Sequence, residues 1–311
     1  MKTLLAAIPA VALLAVAPFG LGGYETNVLM MVLFFVILAV GLDLVSGYCG
    51  QFSFATGAFY GVGAYTAAIM SRDLGTSIWV HLPAGAIVAG LFGLLLGIPA
   101  LRLKGHFLAI VTIAFQTIVY LVISQWTSFT GGQVGLTMPN AGPVRIFGVT
   151  LFEFGSLRSY YWLTLAMTVI CLILAWRLIH SRLGREWVAI RDDETLAGAV
   201  GLDTTRGKLT AFVAYAALAG VAGVLTAHSL RGVTPDDFTI WISATVVAMM
   251  VVGGRGTFVG PIIGAAFLAT LPEFLGKFAE YKMLIYGVLL VLAITLVPEG
   301  VVGRWRARTS R

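Results

Sequence analysis

Uncharged apolar runs of about 15 to 20 residues recur along almost the whole chain, and that pattern leaves it few folds. Ten candidate spans can be drawn: Leu4–Gly22, Asn27–Val45, Phe52–Met70, Val80–Leu101, Phe107–Trp126, Tyr160–Ile179, Leu209–Leu230, Phe238–Val252, Thr257–Leu271 and Met283–Val297. At 1.5 Å per residue, about 20 residues cross the roughly 30 Å of bilayer hydrocarbon. The eighth to tenth runs are shorter. They are either extended by flanking polar residues or broken helices. A lipid-spanning barrel would show alternating ten-residue segments, and these are absent. The residues are 59% hydrophobic and 11% charged, and the mean hydropathy is +0.95. Such a composition excludes an ordinary soluble domain. The expected fold class is all-α, a polytopic transmembrane helical bundle forming one membrane domain over residues 1–311.

Basic residues set the expected orientation. With the N-terminus inside and ten crossings, 14 of the 20 Lys and Arg residues fall on inside segments and 6 on outside ones. The positive-inside rule favours that arrangement, which makes both termini cytoplasmic. The net charge of +6 is then a topology signal and not a nucleic-acid one. Trp79, Trp126, Tyr160, Tyr161, Trp162 and Trp241 fall at the outer ends as an expected aromatic belt. The first span has a second reading as a signal peptide, with Ala15-Val-Ala17 as a cleavage site. Residues 127–159 form a long external segment rich in Gly and Pro, either a linker or a docking surface and lid.

One internal segment stands apart. Residues 181–208 hold 10 of the 34 Asp, Glu, Lys and Arg side chains. Asp193 is a good N-cap for a short helix from Glu194, and Gly201 a good residue just past its end. Trp187, Val188, Ile190, Leu196 and Val200 are interleaved with the charges. A solvated loop has no need of these apolar residues, whereas a docking helix does. The segment is therefore expected to hold one or two short helices across the cytoplasmic mouth. Its far end, Gly201 to Leu209, resembles a nucleotide-binding P-loop, but has one residue too many between the glycines and Leu209 where Ser or Thr must reach Mg²⁺. No nucleotide site is expected. No catalytic constellation, cofactor motif or metal-ligand spacing is evident. His81, His106, His180 and His228 are far apart in sequence, and Cys49 and Cys171 lie in or beside apolar spans.

Within the spans, Ser53, Gly57 and Gly61 recur every four residues, as do Gly256, Gly260 and Gly264. Small residues at this spacing let helix backbones approach closely in lipid. They serve static packing or let helices slide during alternating access. Asp43 is the one carboxylate close to a membrane interior, where ionisable groups are costly. It lines a path or caps a neighbouring helix near the inner end of its span. Gln51, Ser53, Thr56, Thr112, Gln116 and Thr117 either line a route for a polar solute or make interhelical hydrogen bonds.

Several stretches, in order, resemble one family. They are Gly50-Gln-Phe-Ser-Phe with Gly57 to Thr66, Gly131-Gly-Gln-Val-Gly-Leu-Thr137, Ser181-Arg-Leu-Gly-Arg with Ala189-Ile-Arg-Asp-Asp-Glu194, Lys208 to Phe212, Ala219-Gly-Val-Ala-Gly223, and Gly253 to Ala265. Tyr286-Gly287 and Pro298-Glu-Gly300 fit as well. They are similar to the permease subunits of branched-chain amino-acid ABC importers, the M-type partner of the pair. The resemblance implies a bacterial inner-membrane protein working with a second permease subunit, two cytoplasmic ATPases and an external solute-binding protein. It makes residues 181–208 the ATPase-coupling segment, with Arg185, Trp187, Arg191, Asp193, Glu194, Leu196, Ala197 and Gly201 as its working residues. Glu194, Ala197 and Gly201 match the Glu-Ala-Ala…Gly loop of other ABC importers only in part. Asp43, Gln51, Ser53, Thr56 and Gln116 become candidates for the translocation path. Many relatives carry Gly-His where this chain has Ala55-Thr56, which puts substrate or gating in doubt. Relatives that carry urea or short amides share the motifs. A self-sufficient ion-coupled transporter or channel is the competing class. It would want carboxylates near mid-membrane, and Asp43 alone offers that. An integral-membrane enzyme would need clustered reactive groups.

Overall fold

The computed structural model describes residues 14–20, 22–100, 103, 105–138, 144–146, 149–152, 157–274 and 287. Besides the helical residues 14–20, ten helices of six residues or more organise them: α1 (Gly23–Asp43), α2 (Thr56–Leu74), α3 (Ile78–Ala100), α4 (His106–Gln125), α5 (Leu157–His180), α6 (Arg182–Asp192), α7 (Glu194–Ala199), α8 (Thr204–Leu230), α9 (Ile240–Gly253) and α10 (Val259–Phe274). Among the described residues, six helical segments are long and apolar enough to cross a membrane: Gly23–Tyr48, Ile78–Pro99, His106–Gln125, Leu157–His180, Thr204–Leu230 and Pro235–Gly253. The chain is a multi-pass helical membrane protein. Of the ten expected spans, Leu4–Gly22 lies largely outside the described residues, where 14–20 are helical, and Met283–Val297 lies outside them except for Gly287.

Two helices form the centre. α1 is apolar on every side and almost wholly buried from Val32 onward, as a helix in a bundle interior must be. It continues into a π-helical turn, Leu44–Tyr48. α8 packs most extensively on α3, then on α2. Glycines make that packing possible. A Cβ on Gly63 would meet the backbone of Gly220, and one on Gly220 would meet the backbone of Gly85. Three helices thus cross at backbone contact, as small residues permit in lipid. α3, α4 and α5 turn Ile87, Leu91, Phe107, Ile118, Ile170 and Leu174 outward, a lipid-compatible face.

α2 has 19 residues but falls outside the set of six. Its glycines, Thr and Ser lower its hydropathy, and it is buried instead by α8, α3 and α4. It begins at Thr56, not Phe52. The expected ninth span is α10, starting at Val259. Gly256 therefore lies in the α9–α10 turn, with φ +68, and is not a helix-packing residue. Gly260 and Gly264 are: a Cβ on Gly264 would meet Met249 O, across the α9–α10 hairpin.

The segment expected to be external has structure of its own. Strand β1 (Leu136–Thr137) pairs antiparallel with a later strand, Gly232–Val233, just past α8. Within the segment, β2 (Val144–Ile146) and β3 (Val149–Phe152) form a hairpin. The exposed Trp79, Trp126 and Trp241 lie at the helix ends remote from α6 and α7. Tyr160 and Tyr161 are buried and so are not part of an aromatic belt. The Tyr161 hydroxyl donates to Leu14 O at 2.7 Å.

Candidate functional site

The charged segment folds as α6, α7 and the first turn of α8. In α6, Gly184, Trp187 and Ile190 are buried while charged residues face out. Trp187 is fully buried, and its Nε1 donates to Thr210 Oγ1 of α8 at 3.2 Å. Asp193 breaks the helix with an extended backbone. Its Oδ1 accepts from the backbone N–H of Thr195 at 2.8 Å and of Leu196 at 2.9 Å, satisfying two orphan donors of α7. Gly201, at φ +88, closes α7 in the left-handed conformation that glycine adopts freely. Asp203 then caps α8 by accepting from Arg206 N–H at 3.0 Å.

Two further contacts fix this segment to the bundle. Lys208, in the first turns of α8, is 1% exposed, and its Nζ donates to Glu194 Oε1 at 2.6 Å. Arg191 Nη1 donates to Gly47 O in the π-helical turn at 3.1 Å. The backbone gives way to this arginine. A Cβ on Gly50 would lie 2.9 Å from Arg191 Cγ, and one on Gly256 would lie 3.2 Å from its Nη1. Asp43 Oδ1 meanwhile accepts from Gly256 N–H at 2.7 Å. Asp43, Gly47, Arg191 and Gly256 thus join α1, the charged segment and the α9–α10 turn in one knot. π-helical turns of this kind are frequent at functional sites.

Ala197 is buried, whereas Leu196 is 62% and Val200 70% exposed. Arg185 is exposed, and among the described residues its side chain bonds only His180 O, at 3.5 Å.

A second group of expected residues meets in the bundle interior. Thr56 Oγ1 and Tyr215 Oη share a hydrogen bond of 2.6 Å. Gln116 Nε2 donates to Phe238 O at 2.6 Å. Ser243 Oγ donates to Gln116 Oε1 at 3.5 Å and accepts from Gly57 N–H at 2.9 Å. Ser53 Oγ accepts from Ala55 N–H at 3.2 Å, and Thr112 Oγ1 from Phe54 N–H at 3.0 Å. Ser53, Thr56, Thr112 and Gln116 thus form a buried polar seam between α2, α4, α8 and α9. Gly57 and Gly61 receive Phe238 there. Asp43 is not part of the seam, because its carboxylate accepts from the α9–α10 turn instead. Gln51 contributes backbone, with its N–H donating to Val45 O at 2.8 Å.

Sequence spacing missed several partners. His81 Nδ1 and His228 Nε2, 147 positions apart, lie 2.9 Å from each other in the interior, and His81 Nε2 bonds Thr76 Oγ1 at 2.9 Å. Lys208 was legible in principle, since a lysine opening an apolar helix needs a carboxylate. Tyr215 and Ser243 gave no signal. Among the described residues, no three His, Cys, Asp or Glu are grouped to hold a metal ion.

Comparison with known proteins accords with this architecture. Residues 25–294 match the family model for the branched-chain amino acid transport system permease component. The high-affinity branched-chain amino acid transport system permease protein LivM of Salmonella typhimurium is 36% identical over 94% of this chain and 73% of its own length. LivM of Escherichia coli K12 shows the same identity and coverage. The LivH permease protein of Salmonella typhimurium is 26% identical over 87% of this chain and 91% of its own length. No solved structure gives a significant match. The match over most of its length shows that this chain belongs to the family of branched-chain amino acid transport permease components.

Proposed function

We propose that the chain is the membrane-spanning permease subunit of an ATP-driven ABC importer for branched-chain or related amino acids. It sits in the bacterial inner membrane beside a second permease of the LivH kind, with two ATPase subunits on the cytoplasmic side and a solute-binding protein outside. Transport proceeds by alternating access, and the chain hydrolyses no ATP itself. Movement of the ATPases is transmitted through residues 181–208 to α1, α8 and the α9–α10 turn, and the seam around Thr56 and Gln116 belongs to the moving interior.

The observation that carries this reading is α7. It is a short helix capped by Asp193 and tied down by Glu194 and Lys208, and it still presents Leu196 and Val200 to solvent. Rigid exposed apolar side chains on an otherwise charged segment suit a protein groove. Asp43 weighs against ion coupling, because its carboxylate is engaged by the Gly256 N–H. The test is co-purification. Leu196→Lys with Val200→Lys should lose the ATPase subunits while the permease pair still assembles in the membrane. Undiminished ATPase recovery would overturn the docking role of α7.

A further inference from the structure

A cavity of about 840 Å³ opens at the end of the bundle remote from the charged segment. Its walls come from α1, Tyr60 of α2, the start of α5, the end of α8, the turn Pro235–Phe238 and the start of α9. Along α1 the lining runs from Tyr24 to Leu38, about 20 Å of helix at 1.5 Å per residue, so the cavity reaches well into the bundle. The lining is mainly apolar, with Phe34, Phe35 and Leu38 of α1 beside the Tyr60–Thr226 hydrogen bond of 2.7 Å. The mouth is charged, with Arg231, Asp236 and Asp237.

None of the three is neutralised by an ion pair among the described residues, and hydrogen bonds hold the two carboxylates in place. Arg231 ends α8 at φ +57, the one non-glycine residue with positive φ among the described residues. That conformation suits glycine, yet an arginine occupies it. Its guanidinium has no ion pair among the described residues. Asp237 Oδ2 accepts from Thr234 N–H at 3.0 Å and Thr234 Oγ1 at 2.7 Å. Asp236 Oδ1 accepts from Tyr120 Oη at 3.1 Å. Each aspartate keeps a second oxygen for a ligand. One unpaired cation and two fixed carboxylates over a mainly apolar interior describe a receptor for a small zwitterion with an aliphatic tail.

We propose that this cavity is the permease's own binding site for a free α-amino acid with an aliphatic side chain. Arg231 takes the α-carboxylate as a planar two-pronged donor, Asp236 and Asp237 take the ammonium, and the side chain lies toward Phe35 and Leu38. The assignment rests on the importer reading above and adds the residues that recognise the cargo.

Asn27, exposed on the cavity wall, gives a direct probe. The complete transporter carrying Asn27→Cys is placed in vesicles, and the rate of maleimide labelling is measured. Both native cysteines are buried, so the new thiol dominates. Saturating leucine should slow labelling severalfold. 3-Methylbutylamine and 4-methylpentanoate, each lacking one of the two charges, should not. Adding Arg231→Gln should raise the leucine concentration needed for half protection by about tenfold or more, the usual consequence of losing a charge-assisted hydrogen bond. If that variant does not assemble, the comparison of leucine with its two analogues decides alone. Unchanged labelling in vesicles that take up leucine with ATP and binding protein would overturn the site, and so would equal protection by the amine. Vesicles that take up no leucine would refute the importer reading instead.

Discussion

Replacing Glu194 by Gln is expected to free α7 from the bundle. The perturbation leaves Lys208, with a side chain only 2% exposed, as a buried cation without its carboxylate. At 2.6 Å and an effective permittivity of about 20, the lost attraction is about 6 kcal/mol before desolvation is counted. Removing one member of a buried pair costs about 3–5 kcal/mol. Glu194 retains 27% side-chain exposure, so water screens the pair and the lower end, about 3 kcal/mol, is expected. That raises the detached population of α7 about a hundredfold. Cys49 reports on it. Burial pushes its thiol up to about 12, with Lys208 opposing and Glu194 reinforcing. Since the thiolate is the reactive form, Cys49 should resist alkylation at neutral pH in the native protein. Losing Glu194 lowers that barrier twice, by exposing the thiol and by removing a neighbouring negative charge. Hydrogen exchange over α6–α7 and Cys49 alkylation should therefore both accelerate in Glu194→Gln. A double-mutant cycle with Lys208→Met checks the cause. Coupling below about 1 kcal/mol, or unchanged exchange, would refute the reasoning.

Three further outcomes follow from the same geometry. Asp43→Asn keeps an acceptor for Gly256 N–H and should transport nearly as the native protein does, whereas Asp43→Ala should cost about 1–3 kcal/mol in thermal unfolding; loss of uptake in Asp43→Asn would revive ion coupling. Tyr215→Phe strands the buried Thr56 hydroxyl and should cost about 1–3 kcal/mol, whereas Thr56→Val leaves the Tyr215 hydroxyl its bond to Ser53 and should cost less, with the double variant less destabilised than the sum. Gly63→Val drives a side chain into the Gly220 backbone and should cost about 1–3 kcal/mol or more, read as a lowered unfolding midpoint in detergent.

The helices were legible because apolar length is a local property, and a local property can be counted along a chain. α7 was legible for a similar reason, since Asp193 and Gly201 signal the ends of a short helix by their own chemistry. What escaped depends on pairing across the fold. Asp43 reads as an intramembrane carboxylate, yet its partner is a backbone N–H of Gly256, and backbone groups leave no trace in composition. Glu194 reads as an exposed docking residue, yet it holds Lys208, because a cation buried at the start of α8 must be matched. His81 and His228 are unrelated by spacing and meet only through the α3–α8 crossing. Gly256 fits a four-residue glycine rhythm, but the chain turns there, and the rhythm begins one step later at Gly260. Strand pairing between Leu136–Thr137 and Gly232–Val233 lies between segments that share no sequence pattern.

The most direct test of an ATP-driven permease is uptake by the reconstituted complex. Proteoliposomes containing this chain, its second permease and the ATPases are supplied with binding protein and labelled leucine on one side and ATP on the ATPase side. Uptake should require ATP and binding protein together, and should persist when proton and sodium gradients are collapsed. Leucine accumulation by this chain without ATPase subunits, driven by an ion gradient, would contradict the account.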